Sequence, residues 1–261
     1  GDTLHQYYIE RVTPNGRSAI DNMPYKHLVS MGRGLFLPEV PDENSTWYLC
    51  MQKPFKLHPE FDDLISGILR ADPAARVLLH KEERESNREI FIERLRKAGC
   101  DMDRVHFVPV QPHHRLLALY ELSDVVLDSY PAGGCTTTRE VLELGKPVVT
   151  LPAKLLGSRW SLAYYNIMGD PMLNELVIAR NEQEYVNHAV RLGTDRAVRE
   201  DAEMRVRENV HKLFRRWEAV YEWSKMLLDI APVRVAEPGG FCGVEVSYND
   251  RDVRDGINEE L

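Results

Sequence analysis

The stretch DVVLDSYPAGGCTTTREVLELGKPVVTL, residues 124–151, holds one complete strand–loop–helix–strand unit. DVVLD reads as a strand whose inner residues are all apolar, as expected of a strand covered on both faces. TTTREVLELG carries apolar residues at helical spacing and stops at Gly145, and KPVVTL returns to a strand. Two strands joined through a helix pair in parallel, since only antiparallel neighbours can be linked by a tight turn.

The same alternation extends in both directions. Upstream, WYLC and RVLLH read as strands, and PEFDDLISGILRA places Phe61, Leu64, Ile65, Ile68 and Leu69 on one helical face. Pro59 suits the first turn of that helix and Asp72-Pro73 ends it. ESNREIFIERLRKAG follows as a helix stopped by Gly99, then RVHFV as a strand and HHRLLALYEL as a helix. Downstream, SRWSLAYYNIMG reads as a helix, LVIA as a short strand, and EQEYVNHAVRLG as a helix capped by Asn181. Short apolar strands separated by helices give an α/β fold with a doubly wound parallel sheet, expected over residues 46–194. Two helices, roughly 195–212 and 214–230, make a C-terminal helical part over 195–231. Residues 1–45, broken by Pro14, Gly16, Pro24, Pro38 and Pro41, are expected to connect to and wrap onto a neighbour. Residues 232–261 are Gly-rich and acidic and are expected to be a flexible tail.

Composition narrows the function classes. The chain is 43% apolar and 28% charged, as in ordinary globular proteins, and its apolar runs are too short to span a bilayer. Of the net charge of −8, about −5 falls between Glu237 and Leu261, where seven acids meet two arginines. No Lys/Arg block remains to meet phosphates along a duplex, which disfavours nucleic acid as a partner. Cys50, Cys100, Cys135 and Cys242 are widely spaced with no CxxC, which favours a reducing compartment, cytoplasm or nucleus. The start, Gly1-Asp2-Thr3, has no initiator methionine and no leader; an internal cut is expected, with any targeting signal outside it.

In a doubly wound sheet, ligands bind beyond the carboxyl ends of the strands. Three loops there carry unusual residues: MQKPFKLHP (51–59), PVQPHH (109–114) and SYPAGGCTT (129–137). Gly133 and Gly134 permit positive φ and a close backbone approach. A helix then begins near Thr136, presenting free N–H groups and the positive end of its dipole. A glycine turn with one threonine cap is the plainer reading, but three threonines exceed what that needs. Thr136 and Thr137 are therefore candidates for binding an anion, with phosphate the natural guest. Lys56 precedes a helix start, where a cation is unfavourable unless an anion joins it; Lys53 is a weaker candidate of the same kind. Glu140, one turn into the threonine helix, suits ribose hydroxyls and equally suits a stabilising first-turn acid. Ser158 and Arg159 open the next helical run, where a cap accounts for the serine.

Other patterns carry little. Asp101 and Asp103 resemble a metal-binding DxD but precede a strand, on the wrong edge of the sheet, and read as turn acids. His113 and His114 are adjacent and cannot face one metal together, and no Cys/His cluster suggests zinc. There is no GxGxxG after the first strand, no GxxxxGK[ST] and no GxSxG. No metal and no cofactor are expected.

YPAGGCTTTREVLELGKPVVTLPA followed by SR, together with FKLHPEFDDLISGIL and NEQEYVNHAVRLGTD, resembles the catalytic region of the protein O-linked N-acetylglucosamine transferase and Spindly O-fucosyltransferase family. The resemblance covers roughly residues 47–230 and implies the C-terminal, donor-binding, Rossmann-like half of a two-domain GT-B fold. It places the N-terminal half, and the tetratricopeptide repeats usual before it, outside this chain. By the resemblance, Lys56 is the catalytic lysine at the donor diphosphate, Thr136 and Thr137 sit at the phosphates, and Glu140 at the ribose. Gln111 falls where a backbone contact reads the base, and Lys53, His113, Gly133, Gly134 and Cys135 complete the donor-binding set. Cys135 stands where the N-acetylglucosamine enzymes have His, and His113 and Leu116 where they place Lys and His near the nucleotide. Those positions bear on the identity of base and sugar. The implied reaction is metal-independent inverting transfer from UDP-N-acetylglucosamine, with GDP-fucose the other donor, to protein Ser/Thr hydroxyls. The family's acceptor-side histidine lies in the other half, so this chain alone is expected to bind the donor and transfer little. A non-catalytic nucleotide-sugar-binding module and a GT-B-fold sugar-nucleotide epimerase remain the alternatives.

Overall fold

Five short strands form one parallel sheet: β1 (Thr46–Cys50), β2 (Ala75–His80), β3 (Val105–Val108), β4 (Val125–Leu127) and β5 (Val148–Val149). Their order is β3-β2-β1-β4-β5, so the chain winds one way from β1 and the other way from β4. The computed structural model describes residues 25–38, 45–214 and 216–230. The chain divides into two units, residues 1–215 and 216–261; the described part of the second, residues 216–230, holds the helix Trp217–Ile230.

The helices of the first unit are α1 (Lys26–Ser30), α2 (Pro59–Ala71), α3 (Glu85–Lys97), α4 (His113–Leu122), α5 (Thr136–Glu143), α6 (Trp160–Met168), α7 (Pro171–Val177), α8 (Glu182–Thr194) and α9 (Arg196–Asn209). Successive side chains of β1 enter different cores, because a strand alternates its faces. Tyr48 and Cys50 pack with Phe61, Ile65, Tyr185 and Ala189, from α2 and α8. Trp47 and Leu49 pack with Leu119, Tyr120 and Val141, from α4 and α5. All four of these β1 side chains are fully buried, which is why the strand is apolar without alternation.

The terminators act as the sequence implies. His58 caps α2, its Nδ1 accepting from the Glu60 N–H at 3.4 Å, with Pro59 in the first turn. Asn181 caps α8 by accepting from the Glu184 N–H at 2.9 Å. Gly99 and Gly145 follow α3 and α5 with φ of 83° and 80°, the left-handed conformation that glycine adopts freely.

Three local readings change. LVIA is not a strand: α7 runs through Val177, and only Ile178 makes a parallel bridge, to Thr150. A run of four apolar residues fits a buried helix end as well as a strand, and length decides between them. KPVVTL contributes two strand residues, Val148 and Val149. The final helices are α9, a 3-10 turn at Val210–Leu213, and α10 (Trp217–Ile230).

Within residues 1–45, the described stretch 25–38 packs on the first unit: Tyr25 and Leu28 meet Leu117 and Ala118 of α4. Arg33 fixes it further, bonding Asp124 Oδ2 at 2.6 Å and the Ser45 and Leu122 carbonyls. The remainder of the expected connecting segment and the expected tail lie outside the described residues.

Candidate functional site

The switch point lies between β1 and β4, and the loops leaving those two strands meet there. After β1, Gln52 is buried, and Pro54–Lys56 forms a 3-10 turn that turns Lys56 back over the sheet edge. Lys56 Nζ donates to Gln52 Oε1 at 3.0 Å and to the Gly133 carbonyl at 3.3 Å. One lysine thus ties the two loops together.

After β4, Asp128 is buried and organises the glycine loop. Its carboxylate accepts from the Gly134 N–H at 2.7 Å, Thr150 Oγ1 at 2.9 Å and Ser161 Oγ at 2.6 Å. Burial pushes the Asp128 carboxyl above its usual range, against those three bonds and the Lys56 ammonium, which favour the charged form. The glycines are there for space. A Cβ on Gly134 would stand 2.5 Å from Thr138 Oγ1 and 2.6 Å from Gln52 Nε2, and one on Gly133 3.0 Å from Asp128 Oδ2. The freedom of positive φ is not used at Gly133 or Gly134: the left-handed glycines of the described chain are Gly32, Gly99, Gly145 and Gly169.

A second correction falls at the start of α5. Its N-cap residue is Cys135, and no side chain caps the helix. None of the three threonines spends its hydroxyl on capping. Thr138 is buried, within 3.5 Å of Ser161 Oγ, whereas Thr136 and Thr137 line an open cavity of about 330 Å³. Met51, Gln52, Lys53, Lys56, His80, Val110, Gln111, Leu116 and Cys135 complete its walls. Two lysines and a helix N-terminus therefore surround one half-open space, a combination that attracts an anion.

Other candidates fall around this cavity. Lys53 Nζ lies 3.4 Å from His80 Nε2, while His80 Nδ1 lies 2.8 Å from the Lys81 carbonyl. That carbonyl only accepts, so Nδ1 carries the proton and Nε2 accepts from Lys53. Burial first, and then the Lys53 charge, holds the His80 pKa below its usual value, consistent with a neutral ring. Gln111 Oε1 accepts from Arg115 Nε at 2.9 Å, and its amide donates to the Pro109 carbonyl. Cys135 Sγ is 3.4 Å from the Tyr164 hydroxyl. His113, Glu140, Gly133 and Gly134 are not among the lining residues. Glu140 is buried, with Oε1 3.1 Å from His113 Nε2. Asp101 is a turn acid, accepting from the Asp103 N–H and pairing with Arg104 at 2.8 Å. Ser158 does not cap α6; its Oγ accepts from the Ala153 N–H and donates to the Leu155 carbonyl. Among the described residues, no group of three or more His, Cys, Asp or Glu is placed to hold a metal ion.

Sequence reading missed Gln52, His80 and Asp128. Each is a polar residue at or just past the carboxyl end of an apolar strand, and that position was the available signal.

The sheet order, its switch point and the cavity beside it place the chain among the doubly wound halves of GT-B glycosyltransferases. The chain belongs to glycosyltransferase family 41: the profile of Glycosyl transferase family 41 matches residues 10–219. It is 30% identical over 160 residues to a probable UDP-N-acetylglucosamine–peptide N-acetylglucosaminyltransferase SPINDLY of Solanum lycopersicum, covering 60% of this chain and 17% of that protein. It is 33% identical over 160 residues to the UDP-N-acetylglucosamine–peptide N-acetylglucosaminyltransferase of Caenorhabditis elegans, covering 60% of this chain and 13% of that protein. Among solved structures it is similar to a mutant O-GlcNAc transferase of Thermobaculum terrenum, with a TM-score of 0.63 and 26% identity. That match covers 73% of this chain and 37% of the other. The chain thus spans under a fifth of the length of these curated relatives.

Proposed function

We propose that this chain binds a nucleotide-sugar donor and stabilises its departing diphosphate during transfer of the sugar to protein Ser/Thr hydroxyls. The observation that carries the reading is the convergence of Lys56, Thr136, Thr137 and the α5 N-terminus on one cavity. UDP-N-acetylglucosamine is the favoured donor, because relatives bear that donor in their names; GDP-fucose is the other.

In the proposed step, the acceptor oxygen attacks the anomeric carbon from the face opposite the diphosphate. The bond from that carbon to the phosphate oxygen breaks, and its electron pair leaves on the diphosphate. Lys56, the first N–H groups of α5 and the Thr136 and Thr137 hydroxyls receive the growing charge without first reorganising. Charge-assisted hydrogen bonds are worth roughly 1.5–3 kcal/mol each, so three or four supply a large part of a rate effect. These cations and dipoles take the role a divalent ion would otherwise fill, and transfer is proposed to be metal-independent. The base that accepts the hydroxyl proton belongs to an N-terminal catalytic half, preceded by tetratricopeptide repeats, so the 261-residue chain binds the donor but transfers little. A cytoplasmic or nuclear setting fits these acceptors.

Thermal melting with each donor, with and without EDTA, tests this. At a hundredfold excess over Kd, binding adds ~2.7 kcal/mol, which raises Tm by roughly 5–10 °C in a domain of this size. One donor shifting Tm equally with and without chelator is the expected result. No shift from either donor at millimolar concentration would overturn the reading, and a shift abolished by EDTA would overturn metal independence.

A further inference from the structure

We propose that Gln52 is a positioning residue that aims both Lys56 and Thr137 at the phosphate; this rests on the donor-binding reading above. Gln52 lies two residues past the end of β1, is 8% exposed, and reaches both sides of the switch point. Its amide orientation is fixed by chemistry. The Lys56 ammonium can only donate, so the amide atom 3.0 Å from it is the carbonyl Oε1. The amide nitrogen then faces Thr137 Oγ1, at 2.6 Å. An amide nitrogen can only donate, so Thr137 Oγ1 is an acceptor there and its own proton must go elsewhere.

A helical threonine ordinarily gives that proton to the carbonyl four residues back. Here that carbonyl is Gly133 O, which accepts from Lys56 instead, at 3.3 Å. No other described residue takes the Thr137 proton, and Thr137 lines the cavity, so the proton is available to an anion there. Lys56 has two of its three N–H groups held by Gln52 and Gly133, which leaves the third for the same anion. Only a group that accepts on one side and donates on the other can set both. Gly134 is part of the device, since a Cβ there would stand 2.6 Å from Gln52 Nε2 and push the amide out of place.

Gln52→Glu keeps the length and the Lys56 contact but reverses the second bond, because a carboxylate only accepts and takes the Thr137 proton for itself. Gln52→Met keeps the length, adds no charge and bonds to neither partner, which separates lost orientation from charge repulsion. Titration calorimetry with UDP, GDP and their nucleosides reads both, with Tm as the folding control. At pH 7.5, both variants are expected to bind the preferred diphosphate at least about tenfold more weakly than wild type, one charge-assisted bond's worth. Nucleoside affinity stays unchanged. A Gln52→Met protein that binds diphosphate as wild type does, or that loses nucleoside and diphosphate equally, would overturn the role. If wild type binds no nucleotide, the donor-binding reading fails and this role with it; if wild type binds and both variants match it, this role alone fails.

Discussion

At the scale of single residues, the cradle depends on what is absent as much as on what is present. Gly134→Ala forces Gln52 or Thr138 to move and is expected to weaken diphosphate binding at least about tenfold, while the fold survives. Calorimetry on the variant checks this; unchanged affinity would mean the loop has slack. A second prediction concerns pH. Burial holds His80, His106 and His188 below the usual histidine pKa, and His106 Nε2 is buried without a partner among the described residues. At these three side chains the unfolded chain binds more protons than the folded one at and below about pH 6.5, whereas burial of Asp62 and Asp128 acts in the opposite direction. The histidine contribution to stability is complete above that pH and falls as the solution is acidified through it. Denaturant unfolding at pH 7.5, 6.5 and 5.5 is expected to show the loss, and His106→Leu to make it shallower. The gathering of Lys56, Thr136 and Thr137 on one cavity was legible because a lysine before a helix start and three threonines at another are unusual in sequence. Gln52, His80 and Asp128 were not, since a polar residue ending a strand looks the same whether it is solvated or bridges two loops. That Gln52 meets Thr137, 85 positions away, is a property of the fold alone.

At the scale of elements, the sheet was legible because parallel strands covered on both faces have no polar alternation to confuse them. The α2 and α8 helices were read from their apolar faces and terminators, and α7 was misread because its last turn is as apolar as a strand. What sequence could not show is how closely the layers approach. Gly193 of α8 faces β1 with no room for a methyl group: a Cβ would overlap the Tyr48 hydroxyl and Thr46 Cγ2. That hydroxyl is itself fixed to Asp72 Oδ2 at 2.8 Å. Gly193→Ala is expected to destabilise the first unit by about 1–3 kcal/mol through overpacking, despite the better helix propensity of alanine. Equilibrium unfolding measures it, and a neutral or stabilising result would show that β1 and α8 can separate freely.

For the whole molecule, the family and the sheet topology agree on a doubly wound GT-B half, and the proposed donor site lies at its β1–β4 switch point. Net charge says little about this: the chain is acidic at −8, yet the cavity is faced by lysines and a helix N-terminus, so the proposed anion binding rests on local field and not on total charge. The central claim is that Lys56 and the α5 start bind a diphosphate, and it has one direct test. Titration calorimetry on the 261-residue chain compares UDP and GDP with uridine and guanosine, for wild type and Lys56→Ala. One diphosphate should bind wild type well above its nucleoside, and Lys56→Ala should lose at least about tenfold on the diphosphate with none lost on the nucleoside. A Lys56→Ala chain that holds the diphosphate as tightly as wild type would contradict the account.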